Sequence, residues 1–344
     1  MCICWRGLSS TQHRASPTAS ANKIIAKLER EKRNMSSKSE QDFRVVARQR
    51  GVDEFTYERE GEWTGSFTFI QAADTQFGMI DEFQNNNKDS PSVEPEVKLT
   101  MKAIEAVNKM TPRPRFMIVC GDLIDAMPGV SFRQDQINAF KKTFAHLHPD
   151  IKLVCVCGNH DVGDRPTTKT IDSYRKDFGD DYFSFWVGGV KFITLNSQYF
   201  MDDSEVKAYR QEHDQWLDEV LRKNERETWK HLIGFQHVPP FLNNVDEGPV
   251  SVMGHPYLTF NFAKMHERRE LLKKLRESGM KKLFCGHYHR NAGGWDGDLE
   301  VIVTSAVGLQ LGDDTNGLRV VKVLENDVTH EYFALDSIPS KIEF

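Results

Sequence analysis

The sequence has no long hydrophobic run: none of its apolar stretches reaches the roughly 20 residues that a membrane-spanning helix needs. It also lacks an excess of basic charge, because 45 lysines and arginines stand against 50 aspartates and glutamates, for a formal net charge of −5. Proteins that bind nucleic acid or membrane surfaces in general usually carry a basic footprint. We therefore expect no nucleic-acid partner and no membrane partner.

Cysteines are few, and their spacing shows no pairing. The 344 residues contain six of them, namely Cys2, Cys4, Cys120, Cys155, Cys157 and Cys285. No two have the C-x2-C spacing of a zinc site, and their scatter is not a disulfide framework. Four lie in apolar, strand-like runs, where a free thiol packs as a small hydrophobe. This usage favours a reducing compartment, and we expect the protein to be cytoplasmic.

Acidic residues are absent from the N-terminal stretch before Glu29, which is rich in Ser, Thr and Ala. Two interpretations remain open. The stretch is either a transit-peptide-like segment, with mitochondrial targeting as the minor alternative, or an extension that precedes a usual start at Met35. Residues 21–33 have helical propensity, and the chain from Met35 to Gly61 is polar. We predict a poorly ordered extension over residues 1–60 and one domain over residues 61–344.

Strand and helix signals alternate from Trp63 onward. Five short apolar runs predict buried strands: SFTFIQAA, RFMIVC, KLVCVC, HLIGFQ and KKLFC. Amphipathic helices are predicted near residues 93–110, 135–147, 204–223 and 262–278. A hairpin is expected at Gly188-Gly189, and the C-terminal region reads as successive strands. Alternation followed by a strand-rich end predicts a layered α/β domain.

Polar side chains follow each of the five predicted strands. They are Asp74 and Gln76, then Asp122 and Asp125, then Asn159, His160 and Asp161, then His237, and finally His287 and His289. In an open α/β sheet, ligands bind outside the carboxyl ends of the strands. Three of these segments have a glycine just before the polar residues, where the backbone turns sharply or approaches a partner closely. The five strand ends therefore predict one polar cleft.

Several acids in one cleft repel one another unless a cation neutralises them. Mixed oxygen and nitrogen ligands suit Mn, Fe, Zn or Mg. These polar residues are numerous enough to bind two adjacent metal ions that share one carboxylate. Such a pair of ions is the usual arrangement for hydrolysing phosphate esters. Taken singly, each motif has a plain structural explanation, such as a helix cap after a turn. Their joint occurrence at successive strand ends favours the metal site.

The series D-x-Q, GD-x-x-D, GNHD, a lone His and GH-x-H resembles the calcineurin-like metallophosphoesterase family over residues 65–310. The resemblance implies a four-layer α/β/β/α sandwich with mixed sheets and two divalent metal ions. It further implies that Asp122 bridges the ions. The first ion would then be held by Asp74, Gln76 and His289, and the second by Asn159, His237 and His287.

The same resemblance implies a metal-activated hydroxide as the nucleophile. It gives His160, steadied by Asp125, the role of protonating the leaving alcohol or orienting the phosphate. Two positions depart from the family pattern: Gln76 stands where His is common, and Ala126 stands where an arginine often binds phosphate. Arg165 and Arg290 are the candidates for that missing cation, with ordinary surface arginines as the alternative. Asp125 argues against the purple acid phosphatase branch, which has Tyr there.

The leading prediction is a metal-dependent phosphomonoesterase that acts on phosphoserine or phosphothreonine in proteins. The chemistry follows from the residues, whereas the phosphoprotein substrate rests on the resemblance. Two alternatives stay open: a phosphodiesterase acting on small nucleotides, and a non-catalytic scaffold on the same fold. A scaffold predicts missing ligands, but the only substitution in the ligand series is Gln76, which keeps a coordinating oxygen.

Overall fold

The computed structural model describes residues 47–222, 227–251 and 258–344. These residues belong to one compact unit, Arg44–Phe344, whose strands pair into two sheets. The strands of the first sheet are β1 (Phe67–Ala72), β2 (Phe116–Cys120), β3 (Lys152–Val156), β10 (Gly317–Val323) and β11 (Val328–Ala334). Their order is β11-β10-β1-β2-β3, with β1, β2 and β3 parallel and β10 antiparallel to both of its neighbours.

The second sheet contains the hairpin and the remaining predicted strands. Its members are β4 (Phe183–Val187), β5 (Val190–Thr194), β6 (His231–Phe235), β7 (Lys282–Cys285), β8 (Ala292–Asp296) and β9 (Leu299–Val303). Their order is β4-β5-β6-β7-β9-β8, with the middle four strands parallel and the two edge strands antiparallel. The hairpin turns at Gly188 and Gly189, whose φ angles of 53° and 84° suit the two-residue turn that connects tight hairpins.

Helices connect the strands and cover the sheets. The longer ones are α3 (Glu94–Asn108), α4 (Arg133–Phe144), α6 (Thr168–Phe178), α8 (Lys207–Val220) and α9 (Met265–Glu277). The short ones are α1 (Tyr57–Glu60), α2 (Met79–Asn85), α5 (Asn159–Val162) and α7 (Gln198–Met201). Helices α3, α4, α8 and α9 correspond to the four predicted from amphipathic spacing. None of the helices in the described residues is both long and apolar enough to cross a membrane.

Aromatic side chains from both sheets form the core between them. Phe69 of β1 stacks on Phe116 of β2 with ring centroids 4.7 Å apart, and it meets Phe235 of β6 edge-on at 5.8 Å. Because side chains alternate along a strand, Met117 and Val119 face the opposite side of the first sheet, where they are also buried. Helices α3 and α4 also bury apolar side chains, among them Ile104 and Phe140, and pack against each other.

The outer face of the second sheet packs against α8 and α9. Leu217 of α8 and Leu272 of α9 belong to the same buried cluster as Leu232 of β6 and Leu283 of β7. Two sheets thus lie face to face with helices on both outer sides. The predicted four-layer α/β/β/α architecture with mixed sheets is confirmed.

The predicted boundary of the N-terminal extension needs correction. Residues 47–60, which were expected to be poorly ordered, pack on the domain: Phe55 is buried between the sheets, and its carbonyl accepts a 2.7 Å hydrogen bond from the backbone N–H of Trp186. Glu60 pairs with Arg115 at 2.6 Å and accepts a hydrogen bond from the N–H of Gly188 at 2.8 Å. Aromatic contacts, ion pairs and backbone hydrogen bonds together hold a segment whose composition is polar. Residues 1–46, including the helix predicted over 21–33, lie outside the described residues.

Candidate metal centre

The polar residues at the strand ends converge on one place. Ligating atoms of Asp122, His237 and His287 lie within 4.8 Å of one another, and so do those of Asp74, Asp122 and His289. Asp74 follows β1, Asp122 follows β2 and His237 follows β6. His287 and His289 both follow β7. Asp122 belongs to both groups. The two sheets therefore bring five predicted ligands together, with one carboxylate between two sets of partners.

The three histidines of this cluster have the ring orientation of metal ligands. In each, one nitrogen faces a backbone carbonyl and must donate to it: His237 Nδ1 to Cys120 at 2.8 Å, His287 Nε2 to Thr259 at 3.1 Å, and His289 Nδ1 to Leu309. The other nitrogen faces the cluster, with His237 Nε2 3.1 Å from Asp122 and His289 Nε2 3.4 Å from Asp74. Such outer hydrogen bonds fix the tautomer and aim the free nitrogen of a metal-binding imidazole.

Buried charges in the cluster shift one another's pKa values. Burial would raise the pKa of Asp122, but the nearby His237 and His160 outweigh it and hold the pKa below its usual value. Burial would lower the pKa of His237, yet the Asp122 and Asp74 carboxylates raise it to about 9. Burial and the positive His237 together lower the pKa of His287 to about 3. Without a cation, the protonated His237 thus neutralises the carboxylates beside it, and a divalent cation would supply that positive charge on displacing the proton.

Gln76, Asp125 and His160 contact one another beside the cluster. The Gln76 amide nitrogen donates to the Asp125 carboxylate at 3.0 Å and lies 3.1 Å from His160 Nε2. Gln76 Oε1 is buried and has no hydrogen-bond partner among the described residues. A buried polar atom left unpaired calls for an explanation, and a bound cation would supply one.

His160 is the second residue of α5, at the edge of the cluster. Its Nδ1 donates to the backbone carbonyl of Asp125, whereas the Asp125 carboxylate lies farther from that nitrogen, at 3.6 Å. Its backbone N–H donates to Asp122 at 2.9 Å. Burial would lower the pKa of His160, but the carboxylates of Asp122 and Asp125 raise it above its usual value. Asp125 therefore positions the imidazole mainly through its main chain.

Asn159 places its side-chain oxygen in the cluster. Oδ1 lies 3.1 Å from His237 Nε2, and the amide nitrogen donates to Asp164 at 2.9 Å. Because Asp164 accepts from the nitrogen, the amide is oriented with its oxygen toward the histidine. The sequence offered no signal for Asp164 beyond its nearness to the GNHD motif.

The two candidate phosphate-binding arginines have different surroundings. Arg165 lines a cavity of about 420 Å³ together with Asn159 and His287, and its guanidinium pairs with Asp202 at 3.0 Å. Arg290 lies elsewhere: its guanidinium donates to the Leu311 carbonyl and sits 4.9 Å from the centre of the Tyr288 ring. The structure brings Arg165, but not Arg290, to the cavity beside the cluster.

Three glycines allow the backbone to approach the ligands closely. A Cβ atom would lie 2.3 Å from His237 Nδ1 at Gly121, 2.1 Å from Asp122 Oδ1 at Gly158, and 2.7 Å from Asp74 Oδ2 at Gly286. Side-chain atoms essentially never pack at such distances. These glycines precede the second, third and fifth polar segments, as predicted, and their small size lets the ligands sit against the main chain.

Left-handed backbone geometry is concentrated in the same place. Eight described residues other than glycine have positive φ angles, and five of them belong to the candidate site: Asp74 (51°), Gln76 (37°), Asp122 (49°), His287 (70°) and His289 (53°). Such conformations cost free energy and persist where the surrounding structure imposes them, which is common at functional sites. The backbone at these strand ends therefore keeps an unfavourable conformation that directs the side chains into the cleft.

Sequence reasoning missed Arg133, which joins the second and third polar segments. Its guanidinium donates to the carbonyls of Ala126, His160 (2.8 Å) and Asp161 (2.6 Å). The residue stands at the start of α4, a few residues after the second polar segment but far from His160 in sequence, and no motif marks it. Only the fold brings it beneath the loop that carries His160.

Residues 67–291 match the family described as calcineurin-like phosphoesterase, and the chain belongs to that family. It is a phosphoric ester hydrolase, and its family uses divalent metals. The chain is 44% identical to mouse serine/threonine-protein phosphatase CPPED1 over 306 residues, which covers 88% of this chain and 95% of the relative. It is 43% identical to the human protein of the same name over 297 residues, which covers 86% and 92%.

Solved structures of low sequence identity share the fold. A purple acid phosphatase from yellow lupin superposes with a TM-score of 0.57 at 10% identity, over 81% of this chain and 53% of that one. A dimetal phosphatase from zebrafish superposes with a TM-score of 0.52 at 16% identity, over 78% of this chain and 96% of that one. At such identities the likeness shows the architecture and nothing further about the site.

Proposed function

We propose that this protein is a metal-dependent phosphomonoesterase that removes phosphate from phosphoserine or phosphothreonine in proteins. The observation that carries the proposal is the position of Asp122, which belongs to two overlapping groups of ligating atoms. Two adjacent cations that share a carboxylate are suited to phosphate ester hydrolysis. The relatives' printed name, serine/threonine-protein phosphatase, supports the choice of a phosphoprotein as substrate.

The residues fit two divalent ions. The first ion would be held by Asp74, Gln76 and His289, and the second by Asn159, His237 and His287, with Asp122 shared between them. The unpaired Oε1 of Gln76 and the ring nitrogens facing the cluster support this set. When bound, such ions polarise the phosphoryl oxygens and lower the pKa of water. The oxygen and nitrogen donors suit Mn, Mg, Fe or Zn.

His160 supplies the proton that the leaving oxygen needs. Because its Nδ1 donates to the Asp125 carbonyl, the proton for transfer has to be carried on Nε2. The Gln76 amide nitrogen faces Nε2 at 3.1 Å, and two donors cannot share a hydrogen bond, so this contact has to open when the ring is protonated. The carboxylates of Asp122 and Asp125 favour the protonated ring, since they raise its pKa. Arg165, at the mouth of the cavity, is the cation we assign to the phosphate in place of the arginine that Ala126 replaces.

We assign the protein to the cytoplasm. Cys120, Cys155, Cys157 and Cys285 are free and buried, as expected for a chain in a reducing compartment. Burial raises the pKa of Cys120 to about 12, so this thiol is unreactive as well as enclosed.

Hydrolysis assays with Mn²⁺ or Mg²⁺ test the proposal. The substrates are phosphoserine and phosphothreonine peptides, p-nitrophenyl phosphate as a simple monoester, and a cyclic nucleotide as a diester. We expect both kinds of monoester to be cleaved and the diester to be left intact. Preferred cleavage of the diester would favour the phosphodiesterase alternative. Cleavage of none of them would leave a non-catalytic scaffold as the better account.

A further inference from the structure

A second cavity opens beside His160, on the side of the first predicted metal ligands. It has a volume of about 340 Å³ and includes Gln76, Asp125 and His160 in its wall. The rest of the wall comes from α2 and the turn after it: Met79, Glu82, Phe83, Asn86 and Lys88. One part of the cavity wall is thus formed by residues assigned to proton transfer. The other part, from α2 and the turn after it, has no role in the proposed chemistry.

Phe83 is the most unusual member of this wall, because 53% of it is exposed. In the described part of the chain, the other exposed large hydrophobic residues are Leu258, Trp295 and Phe344. Leu258 lines the cavity that contains Asn159 and His287. Two of these four residues therefore border the two cavities next to the candidate centre. Exposed apolar side chains beside a concave polar site indicate ligand contact.

Hydrogen bonds fix the backbone on either side of Phe83. Asp81, two residues before it, accepts hydrogen bonds from the side chains of Asn85 (2.7 Å) and Asn87 (2.8 Å) and from the backbone N–H of Ser92 (2.8 Å). Glu96 of α3 accepts a 2.6 Å hydrogen bond from the N–H of Ile80. These bonds fix the turn after α2 and join α2 to α3, so the backbone that carries Phe83 has a defined place before ligand arrives.

We infer that Phe83, together with Met79, forms a subsite for an apolar residue that flanks the phosphorylated serine or threonine of the substrate. The inference rests on the proposed function, in which His160 protonates the leaving oxygen. That oxygen carries the rest of the peptide, so the peptide continues on the side of His160, where this cavity opens. The wall carries charges of both signs, with Glu82 and Asp125 opposite in sign to Lys88 and the protonated His160, so apolar contact rather than net charge distinguishes the flanking residues.

The test compares the wild type with Phe83→Ala on two phosphoserine peptides that differ only in having leucine or alanine on both sides of the phosphoserine. p-Nitrophenyl phosphate serves as a substrate too small to reach Phe83. We expect Phe83→Ala to lower kcat/KM about tenfold for the leucine peptide and to leave the other two substrates within about twofold. Phe344→Ala is the matched control, because Phe344 is 52% exposed and outside this cavity.

A binding measurement separates recognition from turnover. A fluorescent leucine peptide with a non-hydrolysable phosphonate in place of the phosphoserine is titrated with each variant by anisotropy, and its Kd should rise about tenfold only for Phe83→Ala. An equal loss on all three substrates, or no loss on the leucine peptide, would overturn the inference while leaving phosphopeptide cleavage intact. A wild type that cleaves only p-nitrophenyl phosphate or nucleotides would overturn the proposed function itself, and the subsite with it.

Discussion

The side-chain amide of Gln76 donates a hydrogen bond to the carboxylate of Asp125, with Nε2 and Oδ1 3.0 Å apart. This bond orients the amide and leaves Oε1 buried without a partner in the described part of the chain. Asp125 thus acts on two neighbours at once, since its carboxylate orients Gln76 and its carbonyl holds the ring of His160. Under the proposed set of ligands, this bond would turn the amide oxygen of Gln76 toward the first ion.

Substitution of Gln76 tests whether its oxygen binds a metal. Gln76→Leu keeps much of the side-chain volume but removes the oxygen that would bind the metal. We expect this variant to retain one metal ion fewer than the wild type after dialysis. Gln76→His, which supplies the nitrogen common in the family, should tighten metal binding about tenfold or more, because imidazole is the better donor for most transition metals. Elemental analysis and calorimetric titration with Mn²⁺ measure both effects. Unchanged stoichiometry and affinity in both variants would contradict this role.

Asp122→Asn tests the shared carboxylate. We expect turnover of p-nitrophenyl phosphate to fall by about a thousandfold or more, because the amide cannot bridge two cations with two anionic oxygens. The fold should survive, since the amide oxygen still accepts the His160 N–H that Asp122 accepts at 2.9 Å. Circular dichroism and thermal unfolding check the fold, and steady-state kinetics checks the turnover. Near-normal turnover would refute the bridging assignment.

Gly158→Ala tests the close approach of the backbone to Asp122. The φ of −110° at Gly158 is accessible to alanine, so the effect comes only from the Cβ that would lie 2.1 Å from Asp122 Oδ1. We expect a destabilisation of about 1–3 kcal/mol, as for overpacked cores, together with weaker metal binding. Gly248→Ala is the control, because a Cβ there meets no atom within 4 Å. Urea unfolding measures the difference, and equal stability of the two variants would contradict the steric argument.

Arg133→Met tests whether Arg133 positions His160. Loss of its bonds to the carbonyls of Ala126, His160 and Asp161 should loosen the loop that carries the imidazole. We expect kcat for a phosphoserine peptide to fall about a hundredfold, since an alkoxide leaving group needs the proton, and kcat for p-nitrophenyl phosphate to change about threefold at most. His160→Ala should show the same dependence on leaving group, and Arg133→Lys should recover part of the loss. Equal losses on both substrates would indicate general structural damage instead.

Glu96 makes stability depend on pH. Burial raises the pKa of Glu96 from 4.5 to about 7, although the backbone N–H of Ile80 partly offsets the effect. The folded state therefore binds this proton more tightly than the unfolded chain, so the contribution to stability is complete below pH 4.5 and is lost as the pH rises through about 7. Glu96→Gln should remove this pH dependence. Its full size is at most about 3 kcal/mol of the free energy of unfolding.

Urea unfolding at pH 5 and pH 8 measures the slope for the wild type and for Glu96→Gln. Glu94→Gln is the control on the same helix, because the Glu94 side chain is 64% exposed. A slope in Glu96→Gln as steep as in the wild type would assign the dependence to another group.

Much of the fold was predictable because its signals are local. A strand such as Phe116–Cys120 can be recognised in the sequence as a short apolar run. The hairpin at Gly188-Gly189 can be recognised from its turn residues. The candidate site was predictable for a related reason, since parallel strands bring their carboxyl ends to a common edge. The boundary near residue 60 was not, because contacts with distant segments, such as the burial of Phe55 and the Glu60–Arg115 ion pair, hold residues whose composition is polar.

By itself, the sequence determined which residues can serve as ligands, because ligand chemistry depends on side-chain type and motifs are contiguous in the chain. Tertiary structure alone decided how those residues meet: that Asp122 lies between two groups, that backbone carbonyls aim the histidines, and that Arg133 lies beneath the His160 loop. It also separated Arg165 from Arg290, which look alike in sequence. Such choices depend on contacts between segments distant in the chain, and these contacts exist only once the two sheets have packed.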